Sequence, residues 1–396
     1  MEHNNLIKKG VVVAVIFLFV SVSVIPSTGN IVEKKLTVPT FYNGNIFYVG
    51  GSGPGNYTRI QDAIDNASDG DTVFVYIGRY NLDERLKINK SIRLTGEDKD
   101  NTIINDSGIS IVVSEVCVSD FTIQNGSGIT IDSYSREVTN NNTITGNIFK
   151  SNESFYGFGG ITLSDSVYNT FSNNSFFNCG LNMISFNYFA ILTAYPNFVY
   201  NNTVNGKPLV YFENTSDEVI DDAGQVILMG CNNITVENLE LSNTIIGVQI
   251  LNSLNCYILD NVFSNNFLGG ILLANSNNNT ISGNTLSDNG LDALLFSSRY
   301  NTISENSFET QANIMFIKSS CNNISFNNFK YSHFLRRFKG IFSVDSNNKW
   351  NGNFWNRPRL LPVLIWGFKP TLLQRLIPTL DVDWRPALKS NDIRVR

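Results

Sequence analysis

Along most of the chain, large apolar residues come in groups of three to five positions, alternating with small or polar ones and ending at Asn, Gly or Ser. Alternation of that kind predicts short strands buried on one side, and no group is long enough to predict a core helix. The groups repeat. "YILDNVFSNN" from Tyr257, "TISGNTLSDN" from Thr280, "TISENSFETQ" from Thr302 and "NISFNNFKYS" from Asn323 place Ile258, Ile281, Ile303 and Ile324 in register, at steps of 23, 22 and 21 residues. Phe263, Leu286, Phe308 and Phe329 follow at a constant offset. A third group lies between these phrases ("GVQI" at 247, "GILL" at 270, "DALL" at 292, "NIMF" at 313), with inward pairs such as Val248/Ile250 and Ile271/Leu273. Ile144/Phe149, Phe171/Phe176, "GITI" at 128 and "GITL" at 160 carry the unit into the N-terminal half.

A period of about 22 residues with two or three short strands per turn predicts an all-β solenoid. Its coils would stack in parallel about 4.8 Å apart, so that equivalent side chains form files. The corners must turn sharply, often through left-handed backbone angles, which Asn and Gly tolerate best. Stacked Asn side chains can also bond to one another along the axis. Asparagine, roughly one residue in seven, is therefore read as a corner and ladder residue before a catalytic one.

The rhythm has ends and one interruption. Thr58 and Gln61 have the spacing of a capping box, followed by Ile60, Ala63, Ile64 and Ala67, which predict a short N-terminal helix capping the first coil. The irregular insertion at 181–225 is dense in aromatic residues and ends in an acidic stretch. Insertions in solenoids project from one face. The ligand-binding candidates are accordingly Tyr188, Tyr195, Tyr200 and Tyr211 with the doublet Asp221 and Asp222. Leu272, Leu294 and Met315 face outward in consecutive coils, an apolar stripe that calls for a cover. The tail 346–396, with Trp350, Trp355, Leu360, Leu361 and Trp366, is expected to fold back on that stripe or to cap the last coil. The organisation read here is a signal peptide or N-terminal anchor at 1–29, a β-helix at 46–345 and the tail.

Composition narrows the chemistry. The 396 residues are 42% hydrophobic and 16% charged, with net charge −5; no basic run suggests a nucleic-acid partner. Lys8 and Lys9 precede an apolar run at 11–25 and a small polar exit, the parts of a secretory signal. The run is shorter than the ~20 residues of a spanning helix. Membrane contact is expected only through this segment if it is retained, and the location is expected to be extracytoplasmic. Cys117, Cys179, Cys231, Cys256 and Cys321 show no metal-type spacing and read as buried free thiols. His3 and His333 are the only histidines, so a Ser-His-Asp or Cys-His arrangement has one candidate base in the mature part, His333, beside no suitable motif. Carboxylates in the repeats stand singly, at Asp260, Asp288, Asp292, Glu305 and Glu309. No catalytic residue, metal site or cofactor is assigned.

"FYVGGSGPGNYTRIQDAIDNASDGDTVFVYIGRYN" (47–81), "SIRLTGEDKDNTII" (91–104), "NTVNGKPLVYF" (202–212) and "DDAGQVILMGCNNITVENLELSN" (221–243) resemble phrases of the NosD-type branch of right-handed parallel β-helix proteins. The repeats of that branch are also called carbohydrate-binding and sugar-hydrolase repeats. "NGNFWNRPRLLP" (351–362) and "DVDWRPA" (381–387) are similar to a C-terminal block of some of these secreted or cell-surface proteins. The resemblance implies a right-handed parallel β-helix and three classes of function. The favoured one is a non-catalytic carbohydrate-binding or cell-envelope structural protein, with a polysaccharide or envelope glycan as partner. A polysaccharide lyase or glycoside hydrolase is the second, although the Asp doublet stands without the rest of the polygalacturonase motif set. An accessory protein for an extracytoplasmic copper enzyme is the third.

Overall fold

The computed structural model describes residues 44–132, 139–152, 159–164, 166–187, 190–193, 196–310, 314–330, 341–344, 347–356, 358, 360–370 and 376–391. They fall into two compact units that part between Gly206 and Lys207.

In the N-terminal unit the chain visits three parallel sheets in turn, coil after coil. The first sheet has seven strands: Ile46–Val49, Thr72–Val75, Arg93–Gly96, Cys117–Ser119, Thr143–Thr145, Thr170–Ser172 and Phe198–Tyr200. The second runs from Gly78–Asn81 through Thr102–Asn105, Thr122–Gln124, Ile148–Lys150 and Ser175–Phe177 to Thr203–Val204. The third has five strands, from Leu86–Ile88 to Leu181–Asn182. Parallel pairing of residues about one coil apart is the architecture of a parallel β-helix. An antiparallel pair, Ile184–Asn187 with Ala190–Thr193, leaves this pattern.

The C-terminal unit repeats the scheme. One sheet carries Gln225–Met229, Ile246–Leu251, Gly269–Ala274, Leu291–Phe296 and Ile314–Ile317 in parallel register. The aligned isoleucines form one inner file: Ile258 pairs with Ile281, Ile281 with Ile303 and Ile303 with Ile324, all fully buried. The file of Phe263, Leu286, Phe308 and Phe329 forms another. In it Phe308 stacks on Phe329 at 5.0 Å and 8°, and Phe329 on Trp355 at 4.6 Å and 20°. Stacked rings of this kind add about 1 kcal/mol each beyond the area they bury.

The asparagines divide into two kinds, and the stretch 275–290 shows the rule. Asn275, Asn278, Gly283 and Asp288 have positive φ, between 50° and 72°. The next residue in each case, Ser276, Asn279, Asn284 and Asn289, is fully buried. A corner is thus a left-handed residue followed by an inward polar one. The buried residues form ladders: the Asn261 N–H donates to Asn284 Oδ1 at 2.9 Å, that of Asn284 to Asn306 at 2.9 Å, of Asn306 to Asn327 at 2.9 Å and of Asn327 to Asn353 at 3.0 Å. Ser253, Ser276, Ser298 and Ser319 build a hydroxyl version at another corner. Each ladder satisfies backbone groups that the turning chain would leave unpaired inside.

Ile60–Asn66 is the one helix among the described residues, and it buries Ile60, Ala63 and Ile64. The capping box expected at Thr58 and Gln61 does not form, because the N-cap is Arg59 and no side chain caps it. Gln61 is engaged elsewhere. Its side-chain amide accepts from Lys87 N at 2.9 Å and donates to Lys87 O at 3.2 Å, pairing like a strand with the edge of the third sheet. Lys90 Nζ closes the other end of the helix, donating to the carbonyls of Ile64, Asp65 and Ala67.

In the tail, expected to fold back over the outer stripe or cap the last coil, Trp350 and Trp355 continue the inner files, paired with Ile324 and Phe329, and the side chain of Trp366 lies outside the described residues. Leu360 and Leu361 are exposed. An antiparallel hairpin, Val363–Pro370 with Leu376–Asp383, pairs with the last coil. Asp383 accepts from the indoles and amides that end there: Trp355 Nε1 at 3.0 Å and Asn353 Nδ2 at 3.1 Å.

Candidate functional site

The residues singled out in the insertion are divided between the two units and the residues outside the described ones. Tyr188 and Tyr195 lie outside the described residues. Tyr200 ends a strand of the N-terminal unit, and its ring is about half exposed. Tyr211 belongs to the C-terminal unit, where its hydroxyl donates to Glu213 Oε2 at 3.0 Å. Asp221 and Asp222 are exposed residues between two strands of that unit.

Tyr200 leads to a larger feature, on the outer face of the seven-stranded sheet. Register places Tyr48, Phe74, Thr95, Ser119, Thr145, Ser172 and Tyr200 in one column. Four consecutive hydroxyls therefore lie between aromatic ends. Thr95 and Ser119 share a hydrogen bond of 2.9 Å, as do Thr145 and Ser172. Thr95 and Thr145 are half-buried and Ser119 and Ser172 buried, so the two threonine hydroxyls, each with one proton and two lone pairs, are the ones that keep hydrogen-bonding capacity toward a ligand. At the lower end Tyr48 stacks on Tyr76 at 5.9 Å, and both meet the edge of Phe74. Five coil steps separate Phe74 from Tyr200, about 24 Å of surface at the strand spacing.

Charge enters this face at two places. Arg93 is exposed on the neighbouring column, with Cys117, Thr143 and Thr170 in the coils that follow. Asp120 occupies the adjoining corner with φ 63°, its carboxylate accepting from Thr95 Oγ1 at 3.4 Å. Gly146 in the next coil makes room for it, since a Cβ there would sit 3.1 Å from Asp120 Oδ1. Cys117, on the same face, is no nucleophile: burial pushes its thiol up to about 11, against a small opposing pull from Arg93.

The sequence held a signal for this column that the aromatic-rich insertion overshadowed. "LT", "VS", "IT" and "FS" (Leu94-Thr95, Val118-Ser119, Ile144-Thr145, Phe171-Ser172) each put a hydroxyl directly after an inward apolar residue. Period two then sends all four hydroxyls to the same outer face.

The C-terminal unit carries a shallow depression of about 300 Å³ lined by Ser307, Glu309, Asn328, Lys330, Phe354 and Ser390, among others. Its charges are already engaged, Lys330 with Glu309 at 2.7 Å and Glu309 with Ser307 at 3.1 Å.

Several solved structures are similar to the chain at low identity. A mannuronic acid specific polysaccharide family 6 lyase from human gut microbiota matches at 13% identity, over 80% of this chain and 69% of that one, with TM-score 0.30. The mannuronan C-5 epimerase AlgE4 A-module of Azotobacter vinelandii matches at 13%, over 73% and 90%, with TM-score 0.22. Pectin methylesterase PemA of Erwinia chrysanthemi matches at 12%, over 85% of each, with TM-score 0.20. No curated protein matches the chain. Residues 190–360 match the family described as Periplasmic copper-binding protein (NosD). The NosD-type resemblance read from the repeats is matched over that segment, whose described strands pair as a parallel β-helix.

Proposed function

We propose that this is an extracytoplasmic, non-catalytic carbohydrate-binding protein that lays a glycan along the outer face of its seven-stranded sheet. The observation that carries the reading is the column of Thr95, Ser119, Thr145 and Ser172 with aromatic rings at both ends. Hydroxyl rows exchange hydrogen bonds with sugar hydroxyls, and a half-exposed Tyr200 stacks on an apolar sugar face. The extracytoplasmic location rests on the basic and apolar N-terminal segment and agrees with the periplasmic description of the matched family. Affinity gels cast with neutral and with uronate-rich polysaccharides test the proposal. Retention on at least one is expected, with Tyr200→Ala weakening it about fivefold, the equivalent of roughly 1 kcal/mol of stacking. Absence of retention across both classes, or equal retention of the variant, would sink it.

A lyase is the second reading, favoured by one observation: Arg93 and Asp120 bring a cation and a carboxylate to the same face. Release of an unsaturated sugar by the native chain, and its loss in Asp120→Asn, would replace binding by catalysis as the conclusion.

The copper in the matched family's description calls for a cluster of soft donors. Among the described residues no group of three or more His, Cys, Asp or Glu is placed to hold a metal ion. The thiols of Cys231 and Cys256 donate to backbone carbonyls, and burial raises their pKa. A soft metal needs thiolates. These residues do not fit a copper centre, and no step is drawn through one.

A further inference from the structure

The outer face of the Gln225–Met229 to Ile314–Ile317 sheet does not behave like a solvent face. Ile227, Leu272, Leu294 and Met315 share one file, broken only by Gln249, on the side opposite the inward residues Val226, Ile271, Ala293 and Ile314. Leu251 and Phe296 stand in the column beside them. All six apolar residues are at most 9% exposed, yet none belongs to the core cluster that holds their inward neighbours. Something in this chain covers them from outside. Trp350 and Trp355 do not, since they fill the inner files.

The shape of the stripe limits what the cover can be. It is two outward residues wide, about 7 Å along the strands, and four coil steps long, about 19 Å. Such an area falls well short of the ~800 Å² per partner of a stable dimer. It suits a single apolar helix, whose diameter is about 10 Å. Residues 11–25 are the longest apolar run of the chain; wound as a helix they would extend about 22 Å, the length of the stripe. Residues 26–43 follow the run, with an extended reach of up to about 60 Å.

We infer that the N-terminal apolar run, while it remains on the chain, docks along the Ile227–Leu272–Leu294–Met315 stripe as an intramolecular cover rather than standing free as a membrane anchor. Cleavage would uncover the stripe, so processing of the N-terminus and exposure of this face would be one event.

The test uses the full chain with Cys321→Ser, which removes the exposed thiol, and adds Ile16→Cys with Met315→Cys. Mild oxidation is expected to give an intramolecular cross-link, seen as faster migration on a non-reducing gel. Ile16→Cys with Thr145→Cys is the control and is expected to give none. A second measurement compares hydrophobic-dye binding by the full chain and by a chain starting at residue 30, the shorter one expected to bind more. Absence of the cross-link, equal cross-linking of the control, or equal dye binding by the two chains would each overturn the inference.

Discussion

At the scale of the residue, Asn278 and Asn279 have the same side chain and opposite roles. Asn278 is exposed with φ 58°, whereas Asn279 is fully buried and donates to Asn301 Oδ1 at 3.1 Å. The repeat makes plain that asparagine serves the backbone here. It does not say which of two neighbours turns the chain and which bonds inside it, because that depends on a shift of one residue in register. The difference is measurable. Asn284 donates to Ile258 O at 2.8 Å and to Asn306 Oδ1 at 2.9 Å, and accepts from Asn261 N at 2.9 Å. Asn284→Ala leaves those groups buried and unpaired, an expected loss of about 2–4 kcal/mol in urea unfolding. Asn278→Gly keeps the left-handed angle and is expected to stay within about 0.5 kcal/mol of the native chain.

At the scale of the element, strands and inner files were legible because their period is short and their burial one-sided. The hairpin that closes the last coil was not. Its first strand, Val363–Pro370, falls in a stretch that shows only an apolar patch next to Pro362, and its partner Leu376–Asp383 pairs antiparallel, outside the repeat. The outer hydroxyl column was legible in the dipeptides Leu94-Thr95 to Phe171-Ser172, but its aromatic ends needed the coil count between Phe74 and Tyr200. In the hairpin, Asp381 accepts from Asn348 N at 3.3 Å and Trp350 Nε1 at 3.4 Å. Burial pushes its carboxyl above the usual carboxylate range, and these two bonds oppose the rise. A raised folded pKa means that the folded state holds the proton more tightly. Its stabilising contribution is full below the unfolded value and is lost as pH rises through the folded one. Asp381→Asn keeps the acceptor without the charge. The variant is expected to unfold at higher urea than the native chain at neutral pH, and to lose this part of the pH dependence in a series of urea titrations.

At the scale of the whole molecule, five thiols distribute probes over both units. Cys117 and Cys179 are buried in the N-terminal unit and Cys231 and Cys256 in the C-terminal one, while Cys321 is exposed at a corner with φ 62°. Burial raises the Cys179 thiol to about 12 and that of Cys256 to about 11. Alkylation at about pH 8, near the pKa of a free thiol, is expected to modify Cys321 alone in the native chain. The other four should react only as their coils open. Because a solenoid's coils hold only their neighbours, labelling across a urea series followed by mass spectrometry reads the stability of each unit separately.

The ladders also set the grain of inheritance. Asn279, Asn301 and Asn322 hand the same bond from one coil to the next. Excising residues 280–301 whole would bring Asn322 to the place where Asn301 stood, with no broken amide chain and no misplaced isoleucine. Loss of a few residues inside a coil would instead throw every later rung out of step. A gene built this way lengthens or shortens by whole turns, so the reach of its surface toward an extended polymer is adjusted in increments of one strand spacing.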